Sequence, residues 1–305
     1  AGQFIIRFIE NKMNEYLNKV LQTQGKKDYI VASDTDSIYV RFGKLVEKTC
    51  QGKSKEQIVD FLNKVCENKL EPYIAKCFDE LADYSNAFKN AMVMKREVIA
   101  DKGIWVAKKR YILNVWNSEG ISYNESKLKI MGIEAVKSST PAPCRKMIKD
   151  ALNIMMSGTE EDVIKFIDDS RVQFKKLPPE DIAFPRTVSN VNKHKSTSSI
   201  YAKGTPIHAR GALLYNHHIK DKKLDNKYSL INNGEKIKFC YLKKPNWIHE
   251  NVISFISDFP TELDLDKSID YELQFEKAFL EPVKVILDAI GWNVEKVVNL
   301  ELFFS

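Results

Sequence analysis

The sequence predicts an α+β fold, with an antiparallel sheet and packed helices first and a mostly helical domain second. Apolar residues at the chain start, such as Ile5, Ile9 and Met13, repeat at three- and four-residue steps typical of a helix. Short β-rich runs broken by turn residues follow, which favours an antiparallel arrangement. The character of the sequence changes near Lys137. We therefore predict two domains, residues 1–137 and 138–305.

The first domain is predicted to open with a helix that ends near Gly25 and continue into two short strands, 29–33 and 38–42. A helical stretch over 55–81 follows, and Pro72 is expected to kink or divide it. Glycine at position 120 suits a hairpin turn. Further strands are predicted at 92–99, 104–116, 121–124 and 129–136.

The second domain is predicted to begin with a helix that Thr140 caps and that carries Pro141 in its first turn. A second helix is predicted over about 160–176, and helices close the chain near 271–290. Between them, residues 185–223 contain eight Lys or Arg, four His and one Asp. We expect a basic, loop-rich surface there.

The bulk composition excludes several classes of protein. Of the 305 residues, 44% are hydrophobic and 29% are charged, so a packed core is expected rather than wholesale disorder. The net charge of +6 does not by itself indicate a nucleic-acid partner. The five cysteines form no CxxC pair, which argues against a zinc knuckle or a disulfide framework and suits a reduced, cytosolic setting. No apolar run is long enough to span a bilayer, so no membrane association is expected.

Asp34 and Asp36 are the main candidates for chemistry. They lie two residues apart at a predicted strand–turn–strand junction, where alternation would place both carboxylates on one side. Carboxylate oxygens are ligands that Mg²⁺ prefers, and two crowded carboxylates repel each other without a cation. A solvated turn is the plain alternative for any Asp-x-Asp. A calcium loop is excluded, because Tyr39 stands where that loop requires glycine.

The string from Ser33 to Val40, with Asp34-Thr35-Asp36-Ser37 at its centre, resembles motif C of B-family DNA polymerases. The resemblance extends along essentially the whole chain, to the T-even bacteriophage type of this family. It implies a palm domain over 1–137 and a thumb over 138–305. It also implies that Asp36 binds both catalytic Mg²⁺ ions and that Asp34 supports the site. The family's usual Tyr-Gly before this motif is Ala32-Ser33 here.

Other segments match further motifs of the same family. Glu97 corresponds to an additional acid near the metals, although an ordinary ion pair with Arg96 or a lysine is an equally good interpretation. The resemblance makes several residues candidate contacts to primer–template DNA, with simple solvation as the alternative. They are Lys108, Lys109, Arg110 and Tyr111 of a KKRY motif, then Lys129, Lys137, Ser189, Asn190, Lys193, Lys195, Lys203 and Arg210.

The apolar end of the chain suggests a docking peptide. Leu300, Leu302, Phe303 and Phe304 stand at a terminus, where polar residues are usual. The family's C-terminal tail binds the sliding clamp, so we predict the same role. The alternative is that the tip folds back on the thumb.

The resemblance implies templated nucleotidyl transfer from deoxynucleoside triphosphates to a primer 3′-hydroxyl, by a two-metal mechanism in the host cytoplasm. The aspartate of motif A, the triphosphate-binding helix and the exonuclease are not in this sequence. The chain begins at Ala1 within a predicted helix, and we expect an N-terminal companion to supply these parts. A non-catalytic DNA-binding or clamp-linked accessory protein is the alternative. A reverse-transcriptase-like palm is less favoured, because Thr35 separates the aspartates.

Overall fold

The computed structural model describes residues 2–23 and 27–293 and divides into two compact units. The first comprises residues 1–103 and 107–129, and the second comprises 104–106 and 130–305. The mixture of helices with three small antiparallel sheets confirms the predicted α+β class. The assignment of palm and thumb roles to 1–137 and 138–305 stays a prediction.

In the first unit, an amphipathic helix packs on a second helix over a two-stranded hairpin. Ile9 and Met13 of the opening helix lie in one core with Phe78 and with Tyr29, which precedes the hairpin. This core supports the two strands that hold the aspartates. The elements are α1 (Gly2–Leu21), β1 (Ile30–Asp34), β2 (Ser37–Val40), α2 (Gly43–Thr49), α3 (Lys55–Val65) and α4 (Glu71–Tyr84).

Pro72 interrupts the long helical stretch in a specific way. A π-helical turn, Cys66–Leu70, joins α3 to α4, and Pro72 follows in the first turn of α4. Proline has no N–H to donate and its ring crowds the preceding turn, so a widened π turn accommodates it. Pro282 follows the π turn Glu276–Leu280 in the same manner.

The second sheet of the first unit differs from its prediction in three places. Its strands, in the order β3-β4-β5, are β3 (Val98–Ala107), β4 (Arg110–Ser118) and β5 (Ile121–Met131). Residues 92–97 form no strand, and a turn at Lys108 and Lys109 divides the predicted strand 104–116. The two strands predicted at 121–124 and 129–136 are one strand that ends before a short 3₁₀ turn, Glu134–Val136.

The second unit packs helices on a three-stranded antiparallel sheet of order β6-β7-β8, which the sequence did not predict. Thr140 does not cap the first helix, because Pro141 holds the cap position and no side chain bonds there. Thr159, by contrast, caps α6 in a reciprocal pair with Asp162. The elements are α5 (Ala142–Ser157), α6 (Glu160–Phe174), α7 (Pro179–Ile182), β6 (Phe184–Thr187), α8 (Ile207–Asp221), β7 (Lys236–Tyr241), β8 (Val252–Phe255), α9 (Tyr271–Phe275) and α10 (Glu281–Ile290).

The expectation of a loop-rich surface over 185–223 is half wrong. Residues 188–206 carry one 3₁₀ turn and otherwise no regular structure, but α8 follows and its middle is buried from Gly211 to Tyr215. Gly211 lets α8 approach β8 closely. A Cβ there would lie 2.4 Å from Ser254 Oγ and 2.9 Å from the Ser254 nitrogen. No helix in the described part of the chain combines the length and apolar character that crossing a bilayer requires.

Candidate active site

The hairpin of β1 and β2 places Asp34 and Asp36 at its tip. Asp34 pairs with Ser37 as the last residue pair of the ladder, and Thr35 and Asp36 form the turn. The Thr35 hydroxyl donates to Asp34 Oδ1 at 3.0 Å, and the Ser37 hydroxyl donates to the Asp34 carbonyl at 3.2 Å. Asp36 therefore lies outside the strands, and strand alternation does not determine where its carboxylate points.

The backbone at the tip is strained. Thr35 has a φ of +46°, in the left-handed region that β-branched residues rarely adopt. Strained positions of this kind persist where surrounding contacts hold them, and they cluster at functional sites. The two side-chain hydrogen bonds to Asp34 are such contacts.

A second turn, Lys108-Lys109, brings the KKRY motif to the aspartate hairpin. Lys109 Nζ lies 3.5 Å from Asp34 Oδ1, although about 75 residues separate the two in sequence. Lys109 also has a positive φ of +61°, as a tight turn between paired strands requires. Lys108 and Lys109 are exposed and Arg110 is half-buried. The sequence had placed this motif within a strand, whereas the turn directs it to the acidic tip.

Two tyrosine rings fix the strands that carry these motifs. The ring of Tyr39, on β2, meets the ring of Tyr111, on β4, edge-on with centroids 5.3 Å apart. Tyr111 is buried, and burial is the largest cause that raises its pKa. The hydrogen bond with Tyr39 and the negative charges of Glu97 and Asp34 raise the pKa further. The charges of both carboxylates therefore act on the buried phenol of Tyr111.

Glu97 forms an ion pair with a lysine, which was one of its two interpretations from the sequence. It precedes β3, is exposed, and pairs with Lys129 of β5. The Glu97 carbonyl accepts a hydrogen bond from the Glu119 nitrogen at 2.7 Å, which ties the segment to the β4–β5 turn. The roles of Glu97 as a further acid and of Lys129 as a DNA contact stay predictions.

Arg96 braces the segment that holds Glu97, and the sequence reasoning missed this role. Its guanidinium donates to Asn117 Oδ1 at 2.6 Å and to the Asn63 side-chain oxygen. Its main-chain nitrogen donates to Glu71 Oε1 at 3.0 Å. The signal available in the sequence was Asn117, a polar residue that follows the apolar pair Val115-Trp116 in the predicted strand.

The aspartate pair fits part of a magnesium site. Mg²⁺ takes six oxygen ligands and usually keeps several waters, with one or two protein carboxylates and substrate phosphates completing the set. Asp36 is exposed and Asp34 is half-buried, so each carboxylate is accessible to a cation from solvent. Within residues 2–23 and 27–293, no group of three or more His, Cys, Asp or Glu could hold a metal. Two carboxylates are thus what this hairpin supplies.

The other predicted DNA contacts lie in the second unit. Lys137 pairs with Glu134 at 2.8 Å, whereas Lys193, Lys195 and Lys203 are exposed on the segment before α8. Arg210, in the first turns of α8, is half-buried and donates to Asn251 Oδ1 at 2.5 Å. The predicted clamp-binding residues Leu300, Leu302, Phe303 and Phe304 lie outside the described residues.

The chain is similar to phage DNA-directed DNA polymerases. This similarity confirms the resemblance to the T-even type that the sequence motifs indicated. A DNA-directed DNA polymerase of Escherichia phage RB69 is 36% identical over 315 residues, covering 98% of this chain and 34% of the relative. That of Enterobacteria phage T4 is 32% identical over 318 residues, covering 100% of this chain and 35% of the relative. The chain is therefore homologous to about a third of these enzymes. No protein-family model matches it.

Proposed function

We propose that this chain is the C-terminal palm-and-thumb part of a B-family replicative DNA polymerase. It carries part of the site that transfers a nucleotide from a deoxynucleoside triphosphate to a primer 3′-hydroxyl. One observation carries the proposal beyond the homology. Lys109 of KKRY lies 3.5 Å from Asp34 of the DTDS hairpin, so a DNA-binding motif and an acidic motif share one place.

In the proposed site, Asp36 is the principal ligand of two Mg²⁺ ions and Asp34 is the supporting ligand. The ions, when bound, lower the pKa of the primer hydroxyl and neutralise charge on the triphosphate and pyrophosphate. Asp36 lies in the turn, outside the paired residues of β1 and β2, and extends to the site from there. Thr35 and Ser37 hold Asp34 through their hydrogen bonds. Glu97, whose charge acts on Tyr111 of the KKRY motif, is proposed as a further acid.

Lys108, Lys109, Arg110 and Tyr111 are proposed to contact the primer–template duplex beside the acids. Lysine side chains meet phosphates as point charges, which positions the duplex and carries no sequence information. Lys109, which pairs with Asp34, is proposed to bind the primer end beside the acids. Lys129, Lys137, Lys193, Lys195 and Lys203 extend the contact in the palm and thumb.

The proposed polymerase needs a companion that supplies the motif A aspartate, the triphosphate-binding helix and the exonuclease. The relatives are about three times as long as the aligned region, which leaves room for these parts. The proposed place of action is the host cytoplasm, where phage polymerases work.

Reconstitution tests this proposal directly. The chain by itself should bind primer–template DNA without extending the primer, and adding an N-terminal polymerase fragment should restore extension in Mg²⁺. Efficient extension by the chain alone would contradict the need for a companion.

An Asp36→Ala variant separates the enzyme from the accessory alternative. In the reconstituted complex we expect extension to be lost and DNA binding to be kept, because Asp36 contributes a metal ligand rather than a DNA contact. A Glu125→Ala variant, which removes an exposed carboxylate from β5, is the control. Unchanged extension by Asp36→Ala would support a non-catalytic DNA-binding or clamp-linked protein instead.

The terminal tail is proposed to bind a sliding clamp. Removing residues 300–305 should shorten the products made in the presence of the clamp and leave extension without the clamp unchanged. Equal shortening with and without the clamp would favour a tail that packs on its own thumb.

A further inference from the structure

Residues 188–205, the basic loop, present three lysines without ion pairs. Lys193, Lys195 and Lys203 are exposed, and no salt bridge in the described part of the chain involves them. The base of the loop is tied to the segment before β7. The Val188 nitrogen donates to the Glu235 carbonyl at 2.9 Å, and the Gly234 nitrogen donates to the Val188 carbonyl at 2.7 Å.

A single backbone bond closes the part of the loop that carries the charge. The Ala202 nitrogen donates to the His194 carbonyl at 2.8 Å. Lys193 and Lys195 flank His194, and Lys203 follows Ala202. This bond therefore fixes the backbone beside all three lysines. The conformation at Ala202 therefore determines which direction the basic loop faces.

Tyr201, the neighbour of Ala202, anchors this closure from the side. Its hydroxyl donates to Glu250, and its ring lies 5.6 Å from the guanidinium carbon of Arg210. Burial and the hydrogen bond to Glu250 raise the pKa of Tyr201, so the phenol stays a donor at neutral pH. An aromatic ring beside a guanidinium gains a cation–π attraction, because the electron-rich face of the ring attracts the positive charge.

Both partners of Tyr201 sit on rigid supports. Glu250 lies in the β7–β8 connection, where the Asn246 amide donates to the Glu250 carbonyl at 2.6 Å. Arg210 lies on α8, which Gly211 seats against β8. Arg210 donates to Asn251 Oδ1, and its Nε is buried without a partner in the described part of the chain. The bond to Asn251 and the ring of Tyr201 therefore hold the guanidinium among protein neighbours, and its unpartnered Nε is buried away from the surface.

We infer that Arg210 and Glu250 are positioning residues that hold Tyr201, and through it the basic loop, in the conformation that meets duplex phosphates. Arg210 then acts on DNA through the basic loop rather than through a phosphate contact of its own. This inference rests on the proposed function for its ligand, and it revises the predicted role of Arg210.

The salt dependence of DNA binding by the full chain tests the inference. Each phosphate contact contributes about 0.9 to the slope of log affinity against log salt. Replacing one loop lysine, as in Lys203→Gln, should lower the slope by about 0.9. Tyr201→Ala removes no charge, yet it should lower the slope by about two to three contact equivalents, because the whole loop is released.

Arg210 variants distinguish positioning from contact. Arg210→Gln should lower the salt slope of DNA binding as much as Tyr201→Ala does. The double variant should lower the slope no further than either single variant. Arg210→Lys keeps the charge but loses the planar guanidinium, so it should fail like Arg210→Gln. The inference is overturned if Arg210→Lys keeps the wild-type slope while Tyr201→Ala leaves the slope unchanged.

Trypsin cleavage separates the anchor from the DNA-binding function. Cleavage after Lys193, Lys195 and Lys203 should be severalfold faster in Tyr201→Ala than in the wild type, at equal thermal stability. Tyr228→Ala is the matched control, because Tyr228 makes a similar bond to Glu262 away from the basic loop. Unchanged cleavage in Tyr201→Ala refutes the anchor even if DNA binds. Faster cleavage with no wild-type DNA binding refutes the proposed function and the DNA role of the loop.

Discussion

The aspartate hairpin and the basic loop both expose charged side chains, but their supports differ. The carboxylate of Asp34 is held by Thr35, one residue away, and its carbonyl by Ser37, three residues away. Lys109, 75 residues away, adds only a partly exposed ion pair to this local support. The basic loop depends on Arg210 and Glu250, which are 9 and 49 residues from Tyr201. A site supported locally can be recognised from a short motif. A site supported by distant contacts requires the folded chain.

The largest expected effect separates chemistry from binding. In the reconstituted complex, Asp36→Asn should lower the extension rate constant on the order of 10²–10³-fold, because preorganised charge at the reacting atoms is lost. The triple replacement of Lys193, Lys195 and Lys203 by Gln should mainly raise the DNA dissociation constant. Single-turnover extension at saturating DNA measures the first quantity, and titration measures the second. If both variants lost the extension rate constant equally, the aspartate hairpin and the basic loop could not be separated into a chemical and a binding role.

Gly211→Ala tests whether the basic loop depends on the packing of α8 against β8. The added Cβ would meet the Ser254 hydroxyl and nitrogen, and overpacking of this kind costs about 1–3 kcal/mol. The free energy of unfolding from denaturant titration should fall by that amount, and DNA affinity should fall with it. Gly43→Ala is the control, since a Cβ at Gly43 meets nothing within 4 Å. A fully stable Gly211→Ala protein would show that α8 and β8 can separate freely.

Lys109→Gln tests whether the hairpin is as locally supported as its contacts indicate. The pair with Asp34 is partly exposed, and such pairs contribute between 0 and about 1 kcal/mol to stability. The free energy of unfolding should therefore change by less than about 1 kcal/mol, while the salt slope of DNA binding falls by about 0.9. Lys64→Gln, which breaks an exposed pair with Asp60, is the control for stability. A much larger loss of stability in Lys109→Gln would mean that the hairpin depends on a distant residue after all.

A further effect, confined to alkaline pH, is expected in the support of the basic loop. Burial raises the pKa of Tyr215, on α8, to about 12. An unfolded tyrosine ionises near pH 10, so between about pH 10 and 12 the native state holds the proton more tightly. Stability should therefore fall as pH rises through this window.

Tyr215→Phe should show a smaller fall across that window. It should also lose about 0.5–1.5 kcal/mol at neutral pH, because Tyr215 donates to the Ser229 carbonyl. Free energies of unfolding at pH 9 and 11 measure the difference. Tyr84→Phe, at an exposed position, should leave the profile unchanged. Identical profiles for Tyr215→Phe and the wild type would contradict the assigned pKa.

Periodicity predicted the elements whose signals are local. The opening helix has an unbroken apolar stripe, and the aspartate hairpin has β-rich runs on both sides of a turn. The motif resemblance, now confirmed as homology to phage polymerases, was also carried by short contiguous strings. In each case the determining residues lie within one or two turns of one another.

Elements whose signals are tertiary were missed. Nothing in Lys108-Lys109 marks a turn, because a lysine with positive φ is unusual and the flanking strands impose it. Helix α8 lies in a basic stretch, but the small residues Ala209 and Gly211 allow it to be buried against β8. The cap position of α5 is Pro141, and Thr140 is buried before it. Side-chain packing across the fold determines each of these outcomes.

The left-handed backbone of Thr35 has a consequence for how this protein can change. A glycine or asparagine at that position would relieve roughly 1–3 kcal/mol of strain and make the hairpin more robust. The same replacement would remove the hydroxyl that restrains Asp34. Higher thermal stability and restraint of the Asp34 carboxylate therefore place opposite demands on residue 35. Selection for heat resistance at this position would be expected to slow the proposed nucleotidyl transfer.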